Sequence, residues 1–80
     1  MITGSQIRAA RGLLNWSAVE LATRVGMSRN TINRLEMSDG IPPSRSQSLQ
    51  EIKTLFEKAG VIFIFEDQAG GPGVRLNSND

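Results

Sequence analysis

The sequence has 80 residues, 39% of them hydrophobic and 21% charged, with a net charge of +1 and with no cysteine or histidine. This composition is typical of one small folded domain, and it excludes a disulfide framework and the usual zinc sites. It also argues against an enzyme, and no segment has the apolar length of a membrane helix or a signal peptide.

The basic residues of the first half of the chain are all arginines. Residues 1–45 contain six arginines against three acidic residues, a net charge of +3, whereas residues 46–80 carry −2. Arginine forms bidentate contacts with phosphates and with guanine edges. Because the asymmetry is modest, a mixed solvated surface and a nucleic-acid surface are both consistent with the charge distribution alone.

The first helix is predicted over about residues 4–13. Thr3 and Gln6 have the spacing of a capping box, and apolar residues then recur on one helical face. Trp16 stands just before the cap of the next helix, and we expect it to pack on the core rather than to stack on a base.

The capping, glycine and small residues of the second and third helices have the spacing expected for two helices that are joined by a short turn and cross each other. Ser17 and Glu20 form an S-x-x-E box, in which each side chain is expected to bind the other's backbone N–H. Gly26 ends the second helix, Ser28 caps the third, and Ala22 is small enough for the two backbones to approach. The apolar positions of the third helix leave four polar side chains outward: Arg29, Asn30, Asn33 and Arg34.

A loop and a fourth helix follow. The stretch SDGIPP, residues 38–43, combines Asp-Gly with a proline pair and breaks the helical pattern. The fourth helix begins between Ser44 and Ser48 and keeps its apolar period until Gly60. Four helices with short connections predict a compact bundle.

The C-terminal segment has strand character. The run VIFIF, residues 61–65, is β-branched and aromatic and predicts a strand, and residues 74–76 predict a shorter second one. Between them, GGPG lacks the Lys and Ser/Thr of a phosphate loop. The adjacent pair Glu66 and Asp67 lacks further carboxylates, so we expect no metal and no cofactor. The last four residues, NSND, are a polar tail that we expect to fray.

Both faces of the first strand are apolar. Val61, Phe63 and Phe65 lie on one side, and Ile62 and Ile64 lie on the other. One face can pack on the helices, and we expect a second copy of the chain to cover the other, since an exposed apolar strand invites aggregation. The alternative is a hairpin folded entirely onto its own domain.

The stretch WSAVELATRVGMSRNTINRLEMSDG resembles the helix-turn-helix of the phage-repressor/Cro-like DNA-binding domains, the XRE family of bacterial regulators. The shared pattern consists of Arg11, Ser17, Glu20, Leu21, Ala22, Gly26, Ser28, Ile32, Leu35 and Glu36. The resemblance covers about residues 5–60 and implies a mainly α fold, a compact four-helix repressor-like helix-turn-helix domain with a short C-terminal β-hairpin or strand. The implied division is a DNA-binding domain over residues 1–60 and a dimerising segment with a polar tail over 61–80. We expect no sensor or cleavage domain, because too few residues follow the helices.

The resemblance also implies where DNA is bound. In this fold the second helix of the motif lies in the major groove, and the first crosses the backbone. The positions that read bases or bind adjacent phosphates are Ser28, Arg29, Asn30 and Arg34, with Thr31 and Asn33 as further candidates. Ser17 lies where a helix N-terminus meets a phosphate, and Arg45 is a phosphate contact from the far side. Arg11 and Glu36 are expected to form a structural ion pair rather than to touch DNA.

These features predict a sequence-specific, double-stranded DNA-binding regulator. We expect a repressor or autoregulator that binds a palindromic operator as a homodimer through residues 28–36. Its location would be cytoplasmic, at the nucleoid through DNA binding, with no membrane partner. The alternative is an antitoxin-like or accessory module, whose C-terminal strand binds a protein partner such as a toxin and whose DNA binding is secondary.

Overall fold

The computed structural model describes residues 1–78 and has four helices followed by a two-stranded antiparallel sheet. The elements are α1 (Gly4–Leu14), α2 (Ala18–Val25), α3 (Arg29–Glu36), α4 (Ser46–Lys58), β1 (Val61–Ile64) and β2 (Gly73–Leu76). The predicted fold class is confirmed. No helix within residues 1–78 is long and apolar enough to cross a membrane. Of the predicted polar tail, residues 79 and 80 lie outside the described residues.

The capping box predicted at the start of α1 forms in full. The Thr3 hydroxyl accepts from the backbone N–H of Gln6, and the Gln6 side-chain oxygen accepts from the backbone N–H of Thr3 at 2.8 Å. α1 ends one residue later than predicted, at Leu14, where Asn15 takes a left-handed conformation with φ 57°. The Asn15 N–H then binds carbonyls of the last turn, which ends the helix.

The start of α1 lies directly against the loop that follows α3. The N–H of Gly4 donates to the carbonyl of Gly40 at 2.9 Å. A Cβ atom at position 4 would collide with the carbonyl oxygen of Ser38, so only glycine allows this approach. This contact fixes the loop, and with it the end of α3, on the first turn of α1.

Only half of the second predicted capping box forms. The Ser17 hydroxyl accepts from the backbone N–H of Glu20 at 3.0 Å, as expected. The Glu20 carboxylate does not return to Ser17 but accepts from Arg24, one turn further along α2, at 2.8 Å. The charged guanidinium is the stronger donor, and the i,i+4 spacing places it within reach. Gly26 then ends α2 with φ +75°, as predicted.

One apolar core joins all four helices and the hairpin. Its members are Ile2, Ile7, Ala10, Leu21, Ala22, Ile32, Leu35, Leu49, Ile52, Phe56, Val61 and Phe63. Trp16 packs against this core as expected, with its ring stacked on Phe56 at a centroid distance of 5.5 Å. Because Phe56 also meets Phe63 edge to face, α4 connects the helix-turn-helix to β1.

The hairpin packs its inner face on α1 and α4. Val61 and Phe63 are buried, so two of the five predicted dimerisation residues lie in the chain's own core and are not available to a second copy. β1 ends at Ile64, one residue earlier than predicted, and Phe65 does not continue the buried face. Phe65 is 46% exposed, and the centre of its ring lies 5.5 Å from the ammonium of Lys53. The assignment of residues 61–80 to dimerisation stays a prediction.

A buried glutamine holds the end of the hairpin on α1. The side-chain amide of Gln6 donates to the carbonyls of Ile64 and Gly73, at 2.9 and 3.0 Å. These two residues form the last pair of the β1–β2 ladder. β2 accordingly begins at Gly73, one residue before its predicted start. Gln6 therefore serves both the cap of α1 and the closure of the hairpin.

Candidate nucleic-acid interface

Four polar side chains lie on the outward side of α3, opposite its apolar positions. Ile32 and Leu35 are fully buried and hold α3 on the rest of the domain. The exposed side chains on the opposite side are Arg29, Asn30, Asn33 and Arg34, which we call the reading face. In helical spacing these four form two neighbouring rows, each with one arginine and one asparagine. Arginine and asparagine are the side chains that bind guanine and adenine edges in the major groove.

The arginines of the reading face have no carboxylate partner within the described chain. Among residues 1–78 the ion pairs join Arg8 to Asp39, Arg11 to Glu36, Arg24 to Glu20 and Lys53 to Glu57. The cations outside these pairs include Arg29 and Arg34 on α3 and Arg45 just before α4. The positive charge of α3 is therefore not neutralised by the carboxylates of residues 1–78.

The pair Arg11–Glu36 joins α1 to the last residue of α3. Nε and Nη2 of Arg11 donate to the two carboxylate oxygens of Glu36, each at 2.7 Å, and Nη1 donates to the carbonyl of Trp16. The Glu36 side chain is only 8% exposed and that of Arg11 is 23% exposed. Such bidentate geometry fixes both position and angle. The pair therefore sets the direction in which α3 leaves the core.

The same contact raises the pKa of Arg11. The causes are the hydrogen bond that Arg11 donates to the Glu36 carboxylate and the negative charge of that carboxylate, which together outweigh the opposing effect of burial. A group whose pKa is raised by folding stabilises the fold below its unfolded pKa and loses this effect only as the pH rises through the folded value. For an arginine that range is far above neutrality. The ionisation of Arg11 therefore does not change the contribution of this pair to stability within the neutral pH range.

Arg8 holds the C-terminal end of α3 from the α1 side. Its guanidinium donates to the backbone carbonyl of Glu36 and to the carboxylate of Asp39 at 2.9 Å. The hydroxyl of Ser5 donates to the Asp39 carbonyl. Free carbonyls at a helix end need donors, and a cation there also matches the helix dipole. Sequence reasoning missed this role because Arg8 and its partners are far apart along the chain.

Ser28 and Thr31 lie together at the start of α3. The Ser28 hydroxyl accepts from the backbone N–H of Thr31 at 3.1 Å and lies 2.9 Å from the Thr31 hydroxyl. Thr31 is half-buried, whereas Ser28 is exposed. Ser28 is thus first of all the N-cap of the helix that carries the reading face.

Ser17 and Arg45 stand at the starts of the other two helices that follow turns. Ser17 is the exposed N-cap of α2 and leaves N–H groups of the first turn open to an anion. Arg45 is exposed at the cap position of α4 and makes no side-chain capping bond. Both positions can therefore contact a phosphate without breaking an existing contact.

Arg24 contacts two side chains of its own domain, and the sequence analysis did not predict these contacts. Its guanidinium lies 4.4 Å from the centre of the Trp16 ring and also binds Glu20. The cation–π contact and the ion pair hold the side chain along α2. The spacing of Glu20 and Arg24 was the available signal for the ion pair, but nothing local predicts the contact with Trp16.

The comparison with known families decides what this arrangement is. A helix-turn-helix family model matches residues 7–52, which is more than half of the chain. The chain belongs to the Cro/C1-type helix-turn-helix family, the XRE regulators. It is a DNA-binding transcription regulator of the XRE type, from a family whose members are generally not enzymes.

The match covers α2, α3 and parts of α1 and α4 of this XRE regulator, and not its hairpin. It begins within α1 and ends within α4, so both strands lie outside the matched residues. No curated protein matches the chain. Among residues 1–78 no group of three or more acidic, histidine or cysteine side chains could hold a metal ion.

Proposed function

We propose that this XRE-type regulator is a repressor or autoregulator that binds a palindromic operator as a homodimer, with α3 in the major groove. The observation that carries the proposal is the reading face. Arg29 and Arg34 are exposed and lack a carboxylate partner among residues 1–78, whereas Arg8, Arg11 and Arg24 are paired. An unneutralised arginine pair beside two asparagines suits an anionic, hydrogen-bonding groove.

The residues divide into base contacts and phosphate contacts. Arg29 and Arg34 would bind the O6 and N7 atoms of guanine, and Asn30 would bind adenine, with about 1–3 kcal/mol of discrimination for each good pair. Ser17, at the N-terminus of α2, and Arg45, before α4, would bind phosphates and fix the register. Ser28, Thr31 and Asn33 complete the proposed DNA contacts.

The dimensions of the molecule favour two copies on one operator. α3 has eight residues and is about 12 Å long, so that one copy reads only a few base pairs. The domain measures 34 × 30 × 19 Å. Two copies side by side would place their α3 helices about one DNA turn apart, roughly 34 Å, which is the half-site spacing of helix-turn-helix dimers.

The outward face of β1 supplies apolar surface for such a dimer. Ile62 and Ile64 are 36% and 37% exposed, and Phe65 beyond the strand is more exposed still. Exposed apolar residues on a short two-stranded sheet are a liability unless they are covered. A second copy of the chain is the cover that also provides the second reading face.

Selection of bound sites from a random double-stranded DNA pool tests the proposal. Purified protein should enrich a palindrome with half-site centres about 10 base pairs apart. Failure to enrich any sequence at low salt would overturn it. Repression is tested with a promoter that contains the selected site, fused to a reporter. Expression should fall when the protein is present, and an increase would contradict the repressor role.

The exposed isoleucines also favour a second candidate, an antitoxin-like module whose main partner is another protein such as a toxin. In that case the hairpin would add a strand to the partner. Ile64→Glu separates the two, because it should weaken self-association and operator binding if the homodimer is correct. If it leaves both unchanged but abolishes rescue of cells from a toxin encoded beside the gene, the second candidate is correct.

A further inference from the structure

A groove lies between the start of the chain, the loop that follows α3 and the connection between β1 and β2. Its volume is about 550 Å³, within the range of roughly 300–1,000 Å³ that is usual for sites of small molecules. Its apolar lining residues are Met1, Ile41, Phe65 and Pro72. We call this the lateral groove. Its walls are distant from one another along the chain, and the fold brings them together.

The lateral groove presents more apolar than polar surface to solvent. Met1 is 52% exposed, Ile41 is 58% exposed and Phe65 is 46% exposed. Single apolar side chains on a surface are ordinary, but several that line one groove mark a site for a ligand or a partner. The lateral groove therefore offers contact for an apolar molecule.

The neutral polar groups that line the groove are already satisfied by the protein itself. Gln6 uses its side-chain oxygen on the N–H of Thr3 and its amide on two carbonyls of the hairpin. The Thr3 hydroxyl accepts from the backbone of Gln6. The backbone carbonyls of Asp39 and Gly40 accept from the first turn of α1. A ligand would gain little from these groups, so apolar contact and charge would select it.

The charges that line the groove are two carboxylates, Asp39 and Glu66. Asp39 binds Arg8 at 2.9 Å. Glu66 is exposed and forms no ion pair or hydrogen bond among residues 1–78. Lys53 lies 5.5 Å from the centre of the Phe65 ring but pairs with a carboxylate of its own helix. The groove is therefore bordered by a negative charge that the described chain does not neutralise.

We propose that the lateral groove binds a small molecule with an apolar body and a single cationic group. The body would pack on Ile41 and Phe65, and the cation would pair with Glu66. Amines that carry an aromatic or a short alkyl group have this chemistry. An anionic ligand would be repelled by the carboxylates, and an uncharged one would leave Glu66 unpaired. The inference does not depend on how α3 meets DNA, so it goes beyond the proposed function.

Nuclear magnetic resonance titrations with three probes of similar size test the inference: 2-phenylethylamine, 2-phenylethanol and phenylacetate. The amine should shift the amide signals of residues 1–6, 39–41 and 65–71 together, because it would contact all three segments. Its dissociation constant should lie in the millimolar range, as expected for a molecule of about nine non-hydrogen atoms. It should bind about tenfold more tightly than phenylacetate, because one charge is attracted and the other is repelled.

Variants separate the apolar contact from the charge. Phe65→Ala should weaken the binding of all three probes about tenfold, since it removes apolar surface from the groove. Glu66→Gln should remove most of the preference for the amine over the alcohol. Ile62→Ala and Glu51→Gln are exposed controls outside the lateral groove and should change neither quantity.

Four results would overturn the inference. Three of them are equal affinity for the amine and phenylacetate, shifts scattered outside the three segments, and control variants as weak as the groove variants. The fourth is a shift of the groove amides with protein concentration alone, which would show that a second copy covers the groove. Thermal unfolding by circular dichroism verifies that each variant is folded. These titrations contain no DNA, so their failure is distinct from failure of the proposed function, which operator selection reports.

Discussion

The six arginines of residues 1–45 fall into two groups that composition cannot separate. Those on α1 and α2 each bind a carboxylate of their own chain: Arg8, Arg11 and Arg24. Those on α3 and at the start of α4 form no ion pair among residues 1–78: Arg29, Arg34 and Arg45. The first group is engaged within the fold, and the second is the group that we propose contacts DNA. Whether an arginine contributes to a basic surface patch thus depends on whether a carboxylate lies beside it.

The largest expected effect comes from removing the unpaired arginines of α3. Arg29→Ala with Arg34→Ala should weaken binding to the selected site by about 10³-fold, since each base contact contributes roughly 1–3 kcal/mol. Fluorescence anisotropy with labelled DNA measures it. The matched control, Arg8→Ala with Arg24→Ala, removes the same charge but only paired arginines, and should weaken binding severalfold at most. Equal losses would mean that net charge alone matters.

The next effect separates the two carboxylates that bind arginines of α1. Glu36→Ala should lower the free energy of unfolding by about 3 kcal/mol, the low end for buried pairs, because Arg11 keeps some access to water. Asp39→Ala should cost less than about 1 kcal/mol, because its side chain is 92% exposed. Urea unfolding of both variants measures the difference. Similar costs for the two would contradict a structural role of the Arg11–Glu36 pair.

A smaller loss is expected when the hairpin is released from α1. Gln6→Ala leaves the carbonyls of Ile64 and Gly73 without their side-chain donor and should cost about 2 kcal/mol. Hydrogen exchange should accelerate at the amides of β1 and β2 more than in α2. Gln50→Ala, an exposed glutamine of α4, is the control and should leave exchange unchanged. Uniform acceleration over the whole chain would show that Gln6 has no specific hold on the hairpin.

The smallest effect is expected at Arg45. Arg45→Ala should weaken binding to all DNA sequences alike and reduce the slope of log affinity against log salt by about 1. Titrations at several salt concentrations measure this slope. Lys58→Ala, at the other end of α4, should leave the slope unaltered, since this lysine is exposed and forms no ion pair among residues 1–78. A slope that responds to Lys58 and not to Arg45 would place the phosphate contacts elsewhere.

Local patterns predicted the helices and the direction of α3. The cap at Thr3, the glycine at position 26 and the apolar spacing of Ile32 and Leu35 all act within a few residues, so the sequence contains them directly. The exposed set on α3 then followed from helical periodicity alone. The family resemblance, supported by the match to residues 7–52, indicated that the chain binds DNA, whereas the role of that surface stays a prediction.

The contacts that escaped prediction join residues far apart along the chain. Gln6 binds carbonyls near positions 64 and 73, and Arg8 binds the end of α3, because the chain folds back onto α1 at Gly4. No local spacing of residues predicts this close approach of the chain to the start of α1. The prediction that Phe65 continues β1 on the face of Val61 and Phe63 was wrong. The alternation of side chains in the sequence extends to residue 65, whereas the β1–β2 ladder ends at the pair whose carbonyls Gln6 binds.

Chemical protection of DNA tests most directly whether α3 enters the major groove. With the selected operator, the protein should protect guanine N7 atoms, which lie in the major groove, from methylation in both half-sites. Arg29→Ala with Arg34→Ala should abolish this protection at concentrations that restore binding. Protection of adenine N3 in the minor groove instead, or unchanged N7 protection in the variant, would contradict the account.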